Sequence, residues 1–155
     1  MKLQIGFGSC PQTVELPDEN VLDVLYPSGI TAPEDSAAEV ARALQSPIGT
    51  PPLAQLARGR HKVAIVTSDI TRPMPSKDVL PLILKELYRA GLGPESITVV
   101  FALGSHRRQT EEEKIHLVGS DVYSQVTCAD SLDFDFVHMG TTARGTPVDI
   151  CRPVT

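Results

Sequence analysis

The sequence predicts an α/β fold, a Rossmann-like parallel or mixed sheet with flanking helices, preceded by a β-hairpin-rich lead-in. Three observations carry that prediction. Lys62-Val63-Ala64-Ile65-Val66-Thr67 is short, continuous, apolar and β-branched, which suits a strand buried on both faces. Ile97-Thr98-Val99-Val100-Phe101-Ala102-Leu103 repeats the signature. Between them, Leu80, Ile83, Leu84 and Leu87 fall at helical spacing. Strand, helix and strand in this order imply a right-handed parallel crossover, with both strands in one sheet and their carboxyl ends on the same side.

The elements follow in chain order. Leu3 to Phe7, Thr13 to Leu16 and Val21 to Tyr26 read as short β pieces broken by Gly8, Pro11, Pro17-Asp18 and Pro27. From Pro33 the spacing turns helical. Val40, Ala41 and Leu44 line one face of Glu34 to Gln45, which Pro47 stops. A shorter helix follows from Pro52 to Ala57. After the first buried strand, Ser76 is placed to cap a helix with Asp78 in its first turn and Gly91 at its end. After the second, Thr110 and Glu113 form a T-x-x-E capping box for a helix running to about Gly119. Tyr123 to Cys128, Phe134 to Met139 and Pro147 to Cys151 are weaker strand candidates.

A chain of 155 residues can bury a core without a disulfide or structural metal. Hydrophobic residues at 41% and charged residues at 21% are globular values. The net charge of −5 and pI near 5.3 exclude a nucleic-acid footprint, which needs clustered Lys and Arg. Cys10, Cys128 and Cys151 are odd in number and widely spaced, so they predict reduced, buried thiols rather than a disulfide or zinc site. The sequence shows no signal-peptide h-region and no spanning apolar run, which predicts a cytoplasmic protein with no membrane partner.

The chemistry is concentrated in two polar loops at the predicted strand ends, Ser68-Asp69-Ile70-Thr71-Arg72-Pro73 and Gly104-Ser105-His106-Arg107-Arg108. Ligands of open α/β sheets bind outside the carboxyl ends of the strands, so the loops predict one cleft shared by a carboxylate, a guanidinium and an imidazole. Pro73 and Pro75 stiffen the backbone that presents Arg72. The bland alternative is that Asp69 and Arg72 simply pair across their turn. His106 carries an imidazole, which takes or returns a proton near neutral pH, and Gly104 lets backbone approach a ligand. His61, His116 and His138 have no such setting. There is no H-E-x-x-H, no G-x-G-x-x-G and no P-loop, and no cysteine sits where its thiolate would be activated.

At the two loops the chain resembles the N-terminal domain of the nickel-dependent lactate racemase family. The family's S-D-x-T-R-P-x-P loop is matched by Ser68-Asp69-Ile70-Thr71-Arg72-Pro73-Met74-Pro75, and its A-[LT]-G-x-H-R loop by Ala102-Leu103-Gly104-Ser105-His106-Arg107. Pro47-Ile48-Gly49, Leu56-Ala57-Arg58-Gly59 and Thr110-Glu111-Glu112-Glu113 extend the likeness over most of the chain. The resemblance implies a two-domain α/β enzyme that interconverts stereoisomers of a 2-hydroxy acid with a nickel-pincer nucleotide. In it, His106 would be one of two catalytic histidines, Arg72 would orient the substrate carboxylate or contact the cofactor, and Asp69 and Thr71 would shape the loop. The segment that would supply the other histidine, the tethering lysine and the nickel ligand has no counterpart before Thr155, so residues 1–155 are expected to form a single N-terminal catalytic-half domain whose C-terminal partner domain is absent. Alone it is expected to bind no nickel or cofactor tightly, to racemise nothing and to expose a surface prone to self-association. A different class of function is a non-catalytic small-anion or nucleotide-binding domain, with Arg72, Arg107 and the helix N-terminus after His106 holding a phosphate.

Overall fold

The computed structural model describes residues 1–29 and 35–155. The chain divides into two compact units, Met1–Ala32 and Pro33–Thr155.

In the first unit, β1 (Lys2–Phe7) and β2 (Cys10–Glu15) form an antiparallel hairpin with Lys2 opposite Glu15 and Phe7 opposite Cys10. The turn is Gly8-Ser9. Gly8 has φ 58° and Ser9 a negative φ, the II′ pattern in which glycine leads and the backbone matches the twist of the strands. Val21 to Tyr26, expected as a further strand, forms no regular element, and Leu22, Leu25 and Tyr26 are exposed. Its apolar residues satisfy the strand pattern, but a strand also needs a neighbour to take its backbone hydrogen bonds.

The second unit contains the predicted α/β layer. α1 (Ser36–Gln45) is capped by Asp35, whose side chain accepts from the N–H groups of Ala37 and Ala38 at 2.9 and 3.1 Å; the expected start at Glu34 lies outside the described residues. α2 spans Leu53–Leu56. β3 (Val63–Ser68), β4 (Ile97–Ala102) and β5 (Thr127–Asp130) make a parallel three-stranded sheet in the order β3-β4-β5. Its register pairs Val66 with Val100 and Ser68 with Ala102, and Phe101 with Asp130. α3 (Ser76–Arg89) links the first two strands, and α4 (Glu111–Val118) with α5 (Ser120–Gln125) links the last two. β6 (Phe136–Thr141) and β7 (Pro147–Cys151) close the unit as an antiparallel hairpin.

One face of the sheet holds the core. Ile97, Val99, Phe101 and Leu103 pack with Leu80, Leu84 and Leu87 of α3 and with Leu117, Val118 and Val122 of α4 and α5. α3 stops in a Schellman motif: the N–H of Leu92 reaches the carbonyl of Leu87, and that of Gly91 the carbonyl of Tyr88, with Gly91 at φ 95°. β4 is covered on both faces as predicted. β3 is not, because it lies at the edge of the sheet and Val66 is 50% exposed.

Three further expectations are corrected. Ser76 does not cap α3. It is the first helical residue, and its hydroxyl lies 2.6 Å from that of Thr67. Tyr123 to Cys128 is not one strand: Gly119, at φ 82°, restarts the chain as α5, and only Thr127 onward is β. The cysteines are not uniformly buried, since Cys10 is exposed and Cys128 half-buried, and of the three Cys151 alone is buried. Among the described residues, no helix is long and apolar enough to cross a membrane.

Candidate active site

The site grows from the carboxyl ends of β3 and β4. Strand alternation turns Thr67 and then Asp69 toward the core side, where both are buried. The Thr67–Ser76 hydroxyl contact ties the end of β3 to the first turn of α3 and closes the loop between them. Within that loop the carboxylate of Asp69 folds back. Its Oδ1 accepts from the N–H of Thr71 at 3.0 Å and from the Thr71 hydroxyl at 2.7 Å, an arrangement short acidic side chains favour in turns.

The second loop turns at Gly104, with φ 57° and the N–H of His106 bonded to the carbonyl of Leu103 at 3.0 Å. That turn carries the imidazole across to the first loop, where His106 Nδ1 meets Asp69 Oδ2. The Thr71 hydroxyl lies 3.3 Å from the same nitrogen. Asp69 is therefore buried and fully engaged, whereas the His106 side chain remains 44% exposed. The Thr71 hydroxyl bond, then the His106 bond, hold the Asp69 carboxyl down at about 2 against the opposing effect of burial. With Nδ1 directed to a carboxylate, Nε2 is the nitrogen left to exchange a proton.

The two loops enclose an open cleft of about 500 Å³, lined by Asp69, Arg72, Met74, Ser105 and His106 with the ends of both strands. The pairing of Asp69 with Arg72 across the turn does not form. Asp69 is committed to Thr71 and His106, and Arg72 lines the cleft with no ion pair among the described residues. A guanidinium beside an imidazole is suited to hold a carboxylate while a proton moves.

Not every candidate reaches the cleft. Arg107 turns the other way and grips Glu113 with two parallel bonds of 2.9 and 2.7 Å. That grip and the Thr110 N–H hold Glu113 at about 2. Glu113 also completes the predicted capping box with Thr110. Arg108 pairs with Asp133. Three polar residues behind the loops escaped sequence reasoning: Gln109, Asp130 and Ser131, whose hydroxyl accepts from the N–H of Leu103 at 3.2 Å. The available signal was an acidic residue closing a short apolar strand in the same sheet as two others.

Comparison with known proteins shows shared sequence and fold. The lactate racemase N-terminal domain family matches residues 7–155. The lactate racemase of Thermoanaerobacterium thermosaccharolyticum is 32% identical over 153 residues, covering 96% of this chain and 36% of that protein. The lactate racemase of Lactiplantibacillus plantarum is 34% identical over 113 residues, covering 71% of this chain and 26% of that protein. The solved structure of the Thermoanaerobacterium thermosaccharolyticum lactate racemase apoprotein superposes with a TM-score of 0.78 at 29% identity, over 99% of this chain and 36% of that one. The chain thus spans about a third of the length of these relatives. Fold, matched residues and sequence identity agree, and the chain belongs to the lactate racemase N-terminal domain family.

Proposed function

We propose that this chain is the N-terminal catalytic half of a two-domain racemase or epimerase acting on a 2-hydroxy acid of the lactate type. The observation that carries the reading is the buried Asp69 carboxylate bound to His106 Nδ1 beside Arg72, which makes no ion pair among the described residues, in one cleft. Arg72 binds the substrate carboxylate. That contact sets the C2 hydroxyl toward His106, whose Nε2 takes the hydroxyl proton as the C2 hydrogen leaves with its electron pair and a 2-oxo acid forms. Asp69 holds the ring and stabilises the imidazolium that results. Return of hydrogen to the opposite face of C2, with the proton given back to oxygen, yields the other stereoisomer.

The cleft is lined by a guanidinium, an imidazole and the Ser105 hydroxyl, groups that fit the carboxylate of a substrate and the phosphate or carboxylate periphery of a pyridinium-derived nucleotide. Arg72 and Ser105 are the residues that would contact such a nucleotide. When bound, the nickel-pincer nucleotide supplies the hydride acceptor for C2. We assign its nickel ligand and tether to the part of the enzyme beyond the third that this chain spans.

The small-anion or nucleotide-binding alternative has less support. Its second cation, Arg107, is held by Glu113, and the α4 N-terminus is already capped by Thr110. The test is complementation: the chain, mixed with the remaining domain of a lactate racemase and its cofactor, should interconvert D- and L-lactate. His106→Ala should abolish that turnover, and unchanged turnover in the variant refutes the assigned role.

A further inference from the structure

We propose that Gln109 is a positioning residue for the His106–Asp69 pair, locking the first loop to the second and to the end of β5 through its side-chain amide. The catalytic meaning of this role rests on the racemase reading, while the role itself stands on geometry. Gln109 is buried just before the α4 cap. Its Oε1 accepts from the N–H of Ile70 at 2.8 Å, and its Nε2 donates to Asp130 Oδ1 at 3.0 Å. Its own backbone N–H donates to Asp130 Oδ2 at 3.0 Å. Asp130 is 1% exposed, and Lys114 Nζ lies 3.4 Å from it.

These bonds leave the amide only one orientation. Turned over, it would set its NH₂ against the Ile70 N–H and its oxygen against the Asp130 carboxylate, so both bonds would be lost. The amide thus joins the ends of all three parallel strands: β5 through Asp130, the loop after β4 through Gln109 itself, and the loop after β3 through Ile70. Ile70 is the residue after Asp69, and Asp69 in turn bonds the backbone and hydroxyl of Thr71. Fixing the Ile70 N–H therefore fixes the direction from which Asp69 Oδ2 meets His106. An apolar side chain would fill the same space but could not set that direction.

NMR on the chain itself tests the proposal. In the unmodified protein the Ile70 amide should exchange with solvent far more slowly than loop amides that bond only to water; free exchange overturns the proposal. In Gln109→Leu, and in Gln109→Glu, which sets a carboxylate against Asp130, the Asp69 carboxyl midpoint should climb from about 2 toward its ordinary 3.8 as its bonds loosen. The double variant Gln109→Glu with Asp130→Asn restores one donor facing one acceptor and should return the midpoint to its original value. His106, Arg107 and Thr71, the groups that act on Asp69, are unchanged in every variant. A midpoint that stays near 2 in folded single variants, or that the double variant fails to restore, refutes the role. If Gln109→Leu does not fold, the exchange rate and the comparison of Gln109→Glu with the double variant still decide. None of these readouts needs substrate, cofactor or the remaining domain. Failure of racemase turnover would leave them standing, and their failure would not touch the racemase reading.

Discussion

His106 Nδ1 is bound by Asp69 Oδ2 across 37 residues of sequence, between loops that follow adjacent parallel strands. The carboxylate is buried and the imidazole half exposed, so the pair has a fixed side and a working side. Its consequences can be measured.

Asp69→Asn keeps the shape of the carboxylate and removes its charge. The ring loses the group that orients it and stabilises its protonated form, so in the assembled enzyme kcat should fall by roughly 10- to 1000-fold, with the loss in kcat exceeding any change in KM. Steady-state kinetics on both lactate enantiomers reads this. A variant within threefold of the parent would remove Asp69 from the mechanism.

Arg72→Ala should act on the opposite parameter. With no ion pair to lose among the described residues, the fold should hold, its stability changing by less than about 0.5 kcal/mol. Carboxylate affinity should drop at least about tenfold. Calorimetric titration with lactate and urea denaturation, run on the same samples, separate the two effects.

Acid should loosen the chain in a defined window. Asp69 and Glu113 are each held at about 2, below their ordinary 3.8 and 4.5. Depressed carboxyls contribute stability that is fully present above the ordinary values and is lost as pH falls from about 4.5 toward 2. The urea midpoint should decline across that window, and Asp69→Asn or Glu113→Gln should each flatten part of the decline. A midpoint independent of pH there would show that neither carboxylate is engaged in solution.

The two sides of the sheet should differ in their tolerance of truncation. Leu87→Ala removes a side chain only 1% exposed from the center of the core and should destabilise by about 2–5 kcal/mol. Val66→Ala, at the half-exposed strand edge, should lose far less. Equal losses would mean that the cleft side of β3 is covered in solution.

Thiol chemistry should separate the cysteines. Burial pushes the Cys128 thiol up to about 11, so at pH 8 almost none is thiolate. Iodoacetamide should label the exposed Cys10 well before Cys128, as read by peptide mass spectrometry. Labelling of Cys128 at a matching rate would place it at the surface.

Local chemistry was legible where one segment decides its own structure. The paired β-branched runs, the Thr110–Glu113 box and the stop at Gly91 each depend on a few neighbouring residues, and each formed. Pattern misled where a partner decides instead. Val21 to Tyr26 has strand composition without a pairing strand among the described residues. Tyr123 to Gln125 belongs to a six-residue helix, too short for its period to outweigh its β-prone residues. Ser76 has the composition of a cap, but its hydroxyl was claimed by Thr67. In the site, the convergence of two loops followed from the crossover rule. Which groups would join did not, because the choice of His106 over Arg72 by Asp69 depends on distances that only the folded sheet defines.

The level at which the strands end has a bearing on which lengths of chain this fold can accept. Ser68 pairs with Ala102, so Asp69 and His106 start from a common baseline, and alternation puts the odd positions of β3, and Asp69 just after it, on one side. One residue inserted or deleted within that stretch would swing the carboxylate to the other side of the sheet and leave His106 facing a neighbour. Length changes in the Gly91–Gly93 turn, at the far end of the crossover, move neither. Variation in length should therefore gather at that turn in any chain that keeps the pair, while the interval from Val63 to Asp69 is held to a fixed count.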